Sequence, residues 1–76
     1  MAHPRNNAHQ LQTWGINIRG LRIARGMSAV ELAALCGVSR QSVYAWELGK
    51  ERISDNHRGI LLKVLSGKQE DIFPLI

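Results

Sequence analysis

Apolar side chains recur at every third or fourth position along most of this 76-residue chain, the spacing that places them on one face of an α-helix. The first such run predicts a helix from Trp14 to Arg25, capped by Thr13 and ended by Gly26. Its inward side chains are expected to be Trp14, Ile18 and Leu21.

A second helix opens on a specific start signal. Ser28 followed three positions later by Glu31 has the spacing of a capping box, in which each residue satisfies a backbone N–H of the other. The helix is predicted from Ala29 to Cys36, and Gly37 supplies the left-handed conformation that ends it.

The third predicted helix follows almost at once. Ser39 caps it and Gly49 ends it, so it spans residues 39–48 with Val43 and Trp46 facing inward. Two short helices joined through a Gly-containing turn of about four residues form a helix-turn-helix, a motif whose second helix enters the major groove of DNA.

The rest of the chain predicts two more helices. The fourth begins at Ser54 and ends near Ser66 and Gly67, and a short fifth helix runs from Lys68 to Ile72. The core candidates of the fourth helix are Leu61, Leu62, Val64 and Leu65. We therefore expect an all-α fold, a compact bundle of about five short helices.

The polar start of the chain has no helical period. Residues 1–12 are expected to form a flexible N-terminal arm, and residues 13–76 the helix-turn-helix domain. For Arg5 and His9, disorder and an arm that reaches along DNA are both open interpretations.

Charge and length narrow the class of protein. Ten Lys and Arg against six Asp and Glu give a net charge of +4, which favours polyanionic partners, although a merely soluble basic surface has the same charge. No apolar run approaches the roughly 20 residues of a membrane span, and the start lacks a signal-peptide core. A cytoplasmic protein is expected.

Residues suited to catalysis or metal binding are few. The single cysteine, Cys36, excludes an internal disulfide and is interpreted as a small buried side chain. The three histidines, His3, His9 and His57, have no ligand spacing and no suitable partners. We predict no enzyme activity, no metal and no cofactor.

The stretch from Gly15 to Ile72 resembles the phage repressor and Cro-like helix-turn-helix family, known as the XRE family, which has the lambda repressor-like fold. The matching positions are Gly15, Ile18, Leu21, Arg22, Gly26, Met27, Ser28, Glu31, Leu32, Ala33, Gly37, Val38, Ser39, Trp46, Glu47, Gly49 and Lys50.

The resemblance implies a structural ion pair between Arg22 of the first helix and Glu47 of the third. A bidentate pair of this kind would brace the third helix against the bundle. Glu47 has no second carboxylate and no histidine beside it in the sequence, which argues against a catalytic role.

The resemblance also implies which residues meet DNA. The third helix would present Ser39, Arg40, Gln41, Tyr44 and Ala45 to the major groove. Arg suits guanine and Gln suits adenine, because each pairing offers two hydrogen bonds. Lys50 and Arg52, in the loop that follows, would contact the sugar-phosphate backbone.

Three departures from the family pattern stand out. Ala29 replaces the Gln that in the family contacts phosphate and braces the third helix. Ile53 replaces the usual loop Pro, and Arg58 and Gly59 replace apolar residues, so the fourth helix is expected to start late or to fray.

These features favour a sequence-specific transcriptional regulator that binds double-stranded DNA at an operator as a homodimer. The chain end offers either a dimer or partner surface or a segment that folds back onto the core. It consists of Ile72, Phe73, Leu75 and Ile76.

An alternative function is a protein-interaction module with the same fold, such as an antirepressor or antitoxin-like partner, with weak or no DNA binding. Ala29 is the feature that favours it.

Overall fold

Five α-helices make up most of residues 8–75, the part of the chain that the computed structural model describes. The helices are Ala8–Ala24 (α1), Ala29–Cys36 (α2), Arg40–Glu47 (α3), Asp55–Val64 (α4) and Gln69–Ile72 (α5). No strand occurs within residues 8–75, so the predicted all-α bundle of about five helices is confirmed.

The caps of α2 and α3 form as the sequence predicts. The Ser28 hydroxyl accepts from the Glu31 amide at 3.0 Å, and the Glu31 carboxylate accepts from the Ser28 amide at 2.8 Å. The Ser39 hydroxyl accepts from the Ser42 amide at 3.2 Å. Gly37 ends α2 with a positive φ of 71°, a conformation that costs glycine little.

Helix α1 is longer at its start than predicted. It begins at Ala8, so the prediction of Thr13 as its cap is wrong, and residues 8–12 are helical rather than part of an arm. Gln10 and Leu11 are buried, which shows that packing against the bundle orders this segment without a strong local signal. Residues 1–7, the rest of the predicted arm, lie outside the described residues.

The core lies between α1 and the other helices. The predicted inward residues Trp14, Ile18, Val43 and Trp46 are all buried. In α4, Leu61 and Leu65 are fully buried, while Leu62 and Val64 pack at the edge of the core. Cys36 is buried, as predicted, and burial raises the pKa of its thiol, which keeps it protonated.

The chain end folds back onto α1. Ile72 and Phe73 are fully buried, so a partner surface built on them is wrong and the fold-back alternative is correct. The Trp14 indole N–H donates to the Pro74 carbonyl at 2.8 Å, and the Phe73 ring meets the Trp14 ring edge-to-face. Leu75 remains exposed, and Ile76 lies outside the described residues.

Helix α4 starts directly after Ser54, so the predicted late start is wrong. The Ser54 hydroxyl accepts from the His57 amide at 3.2 Å. Arg58 pairs with Asp55 one turn earlier, and its guanidinium lies 5.2 Å from the centre of the Trp14 ring. These contacts of the cap and of Arg58 stabilise the first turn without the apolar residues expected there.

No helix within residues 8–75 is both long and apolar enough to cross a membrane.

Candidate nucleic-acid interface

The position of α3 depends on two glycines where it crosses α1. A Cβ on Gly15 would overlap the backbone carbonyl oxygens of Trp46 and Glu47 at the end of α3. Gly49, just beyond α3, has a φ of +71°, and a Cβ there would lie 2.8 Å from the Cα of Gln12. In both cases the added Cβ would collide with backbone atoms, which cannot rotate away. Only glycine at these two positions therefore allows α1 to lie this close to α3 and the loop after it.

An ion pair holds the same crossing from the side. The Arg22 Nε donates to one oxygen of the Glu47 carboxylate at 2.6 Å, and Nη2 donates to the other at 3.1 Å. The third contact, from Nη1 to the carbonyl oxygen of Met27 at 2.9 Å, reaches the loop before α2. One guanidinium therefore connects α1, the α1–α2 loop and the end of α3.

The Arg22–Glu47 pair is largely removed from water. The two side chains are 12% and 4% exposed. The pKa of Arg22 is raised, mainly because the Glu47 carboxylate accepts from its charged form, which outweighs the opposing effect of burial. Hydrogen bonds on both carboxylate oxygens give the pair a defined geometry.

The opposite side of α3 faces solvent. Its exposed side chains include Arg40, Gln41 and Tyr44, whereas Ala45 is half-buried. Within residues 8–75, the side chains of Arg40 and Gln41 form no hydrogen bond or ion pair with another residue. We call Ser39, Arg40, Gln41 and Tyr44 the α3 outer face. It is an exposed polar surface on a helix whose opposite side contacts α1.

Two cations follow the α3 outer face along the chain. Lys50 is exposed, and its backbone N–H donates to the Ala45 carbonyl at 2.9 Å, so it continues directly from α3. Arg52 is exposed and borders a cleft that Leu11 and Asp55 also line. The loop thus places positive charge between α3 and the start of α4.

Ala29, the departure noted at the start of α2, is part of the core. Its side chain is buried with that of Leu32. The position therefore offers no polar side chain to a phosphate or to α3, and the ion pair that holds the end of α3 comes from α1.

Sequence reasoning missed the contact between Gly49 and Gln12 and the role of Met27 as an acceptor for Arg22. A signal was available for Gly15, because glycine inside a helix costs about 1 kcal/mol relative to alanine and calls for a packing reason. No local signal marks the Met27 carbonyl.

Comparison with known proteins agrees with this geometry. A family model described as helix-turn-helix matches residues 18–66, well over half of the chain. The chain therefore belongs to the XRE-type helix-turn-helix family, and the resemblance drawn from the sequence is confirmed. It is a DNA-binding transcriptional regulator.

A similar solved structure is the crystal structure of the restriction-modification controller protein C.AhdI from Aeromonas hydrophila. The two chains are 31% identical, and the match covers 86% of this chain and 98% of that one, with a TM-score of 0.79. No curated protein sequence matches the chain.

The described residues contain no cluster of three or more His, Cys, Asp or Glu side chains that is suited to a metal ion. The family and the similar structure point to a regulator rather than an enzyme.

Proposed function

We propose that this chain regulates transcription as a homodimer that inserts α3 of each subunit into the major groove of an operator. The observation that carries the proposal is the α3 outer face, where the side chains of Arg40 and Gln41 are exposed and have no partner among residues 8–75. The opposite side of α3 is held by Gly15 and by the Arg22–Glu47 pair. A helix that is fixed on one side and presents exposed side-chain donors on the other suits the reading of base edges.

The α3 outer face has a distinct role for each side chain. Arg40, in the first turn, suits the two acceptors of guanine, and Gln41 suits the acceptor and donor of adenine. The hydroxyl of Ser39 and the amides at the start of α3 suit a phosphate. Tyr44, one turn later and beside Ala45, suits a phosphate or a thymine methyl.

Lys50 and Arg52 position the protein on DNA rather than select the base sequence. Both side chains are exposed and lie in the loop directly after α3. Contacts with phosphates hold a protein in register on the duplex but carry no direct sequence information.

A homodimer follows from the size of the reading surface. One short helix contacts only a few base pairs, so useful specificity requires two copies on half-sites about 34 Å apart. Similarity to a restriction-modification controller protein supports a narrower proposal, that the regulated genes belong to a restriction-modification system.

The test begins with selection of bound sites from random DNA, which yields a symmetric site if two subunits bind. On that site, Arg40→Ala should relax the preference at one base pair per half-site and reduce affinity by about 1 to 3 kcal/mol. Lys50→Ala should weaken all sequences alike and lower the salt dependence.

The matched control is Lys63→Ala, which removes one exposed positive charge near the end of α4 and should leave both affinity and specificity unchanged. Equal effects of Arg40→Ala and Lys50→Ala on specificity would contradict the assigned roles. Absence of DNA binding by the unaltered chain even at low salt would contradict the whole proposal and support the protein-interaction module instead.

A further inference from the structure

Helix α3 ends in an exposed apolar patch that adjoins the α3 outer face. Its C-cap residue, Leu48, is 61% exposed, and Tyr44 one turn earlier is 46% exposed. The Leu48 backbone N–H donates to the Tyr44 carbonyl at 3.0 Å, so Leu48 continues the helical turn of α3. We call Tyr44, Ala45 and Leu48 the α3 apolar patch.

The position of Leu48 is more informative than its exposure, because single exposed leucines are common on protein surfaces. Leu48 lies seven residues, or about two helical turns, after Gln41, and Ala45 lies between them on the same side of the helix. Lys50, two residues further along, is exposed. The patch therefore lies between a side chain proposed to read a base and one proposed to contact the sugar-phosphate backbone.

A double helix that contacts both Gln41 and Lys50 has to pass over Leu48. The apolar group that DNA presents in the major groove is the C5-methyl of thymine, whereas cytosine carries only hydrogen at that carbon. An aliphatic side chain makes no hydrogen bond to a phosphate or to a base edge, but it gains free energy by covering a methyl group. The chemistry of the patch therefore matches thymine.

We infer that Leu48 is a specificity-determining residue whose side chain covers the C5-methyl of one thymine in each half-site. The inference deepens the proposed operator binding and rests on it. A rise of about 1.5 Å per residue places Leu48 about 10 Å from Gln41 along α3. At about 3.4 Å per base pair, the thymine lies within about three base pairs of the one that Gln41 reads.

The first test removes the methyl group alone. In the selected site, each thymine is replaced in turn by deoxyuridine, which keeps both carbonyl groups and the base pairing. At one position in this range the dissociation constant of the unaltered chain should rise about fourfold for each half-site, equivalent to about 0.8 kcal/mol for one buried apolar carbon. A half-site with no thymine in this range, or with none that responds, would overturn the inference.

The second test identifies the residue that contacts the methyl. Leu48→Ala should bind the thymine and deoxyuridine sites with nearly equal affinity. Leu48→Met keeps an apolar side chain of similar volume and should retain most of the preference for thymine. Folding is not at risk, because the side chain is exposed and alanine is the better helix former. An undiminished thymine preference in Leu48→Ala would overturn the inference.

A matched control lies in α2. Leu35 is also an exposed helical leucine, at 56%, but it belongs neither to the α3 apolar patch nor to the α3 outer face. Leu35→Ala should therefore keep the same ratio of affinities for the thymine and deoxyuridine sites as the unaltered chain. If both leucine variants lose the ratio equally, the effect is not a contact of Leu48 and the inference is wrong.

These outcomes are distinct from failure of the proposed function. An unaltered chain that binds its selected site but does not respond to loss of any thymine methyl contradicts only the role of Leu48. An unaltered chain that binds no DNA even at low salt contradicts the proposed operator binding and the methyl contact together.

Discussion

At the residue scale, the Glu47 carboxylate connects α3, the helix proposed to enter the major groove, to the rest of the protein. Both of its oxygens accept from Arg22, and its side chain is almost fully buried. A buried charge that loses its partner is costly, because neither water nor another acceptor replaces it. The fold therefore requires both members of the pair.

We expect Glu47→Ala to lower the free energy of unfolding by about 3 kcal/mol, since Arg22 then retains only the Met27 carbonyl. Urea denaturation followed by Trp fluorescence measures this directly. Glu47→Gln keeps one acceptor, so its free energy of unfolding should lie between those of the unaltered chain and Glu47→Ala. A loss below about 0.5 kcal/mol for Glu47→Ala would show that the pair does not hold α3.

The capping box of α2 predicts a pH dependence. Hydrogen bonds from the Ser28 backbone and hydroxyl lower the pKa of Glu31 in the folded state. Because the pKa of Glu31 is lower in the folded state than in the unfolded state, its ionised carboxylate stabilises the folded protein. This contribution is fully present at pH values above the unfolded-state pKa, and it is lost as the pH falls through the folded-state pKa.

Glu31→Gln should therefore reduce the loss of stability that accompanies acidification from neutral pH to below about pH 4.3, the ordinary pKa of glutamate. Gln can still accept from the Ser28 amide, so the cap itself remains. The measurement is urea denaturation across this pH range. Identical pH profiles for the variant and the unaltered chain would exclude a contribution from Glu31.

At the element scale, the crossing of α1 and α3 depends on main-chain proximity rather than on side-chain interlocking. Gly15 and Gly49 bring the two segments together, and the ion pair fixes their rotation. The boundaries of α2 and α3 were predictable because Ser28, Gly37 and Ser39 act on neighbouring residues. The start of α1 was not, because it is stabilised by contacts with a loop almost forty residues away.

Gly15→Ala should destabilise the protein by about 2 to 3 kcal/mol, because the added methyl meets backbone oxygens of α3 that cannot rotate away. It should also weaken DNA binding, since α3 has to shift. Gly59→Ala is the control and should raise stability by up to about 1 kcal/mol. Thermal unfolding of both variants provides the comparison, and equal behaviour would mean that the crossing tolerates a side chain.

At the scale of the whole molecule, the two ends of the described chain close the bundle together. Trp14 near the start donates to Pro74 and packs against Phe73, while the Asn17 amide donates to the Ile72 carbonyl at 3.1 Å. These contacts join residues more than fifty positions apart. The short α5 has little stability of its own and is held by this docking.

Phe73→Ala should cost about 3 to 5 kcal/mol, because it removes a fully buried ring from a small core. Leu75→Ala is the control, since that side chain is 80% exposed and its loss should change stability by less than about 0.5 kcal/mol. Calorimetry distinguishes the two. Similar melting temperatures for both variants would show that the chain end contributes little to the fold.

Local signals were enough to predict all five helices apart from the start of α1, as well as the capping box and the inward stripe of α3, because each depends on residues within one or two turns. The resemblance added the Arg22–Glu47 pair, which no local rule contains. Contacts between distant segments set the start of α1, the closeness of α1 to α3 and the burial of Ile72 and Phe73. They escape sequence reasoning because the free energy of these contacts depends on which surfaces meet after the helices have packed.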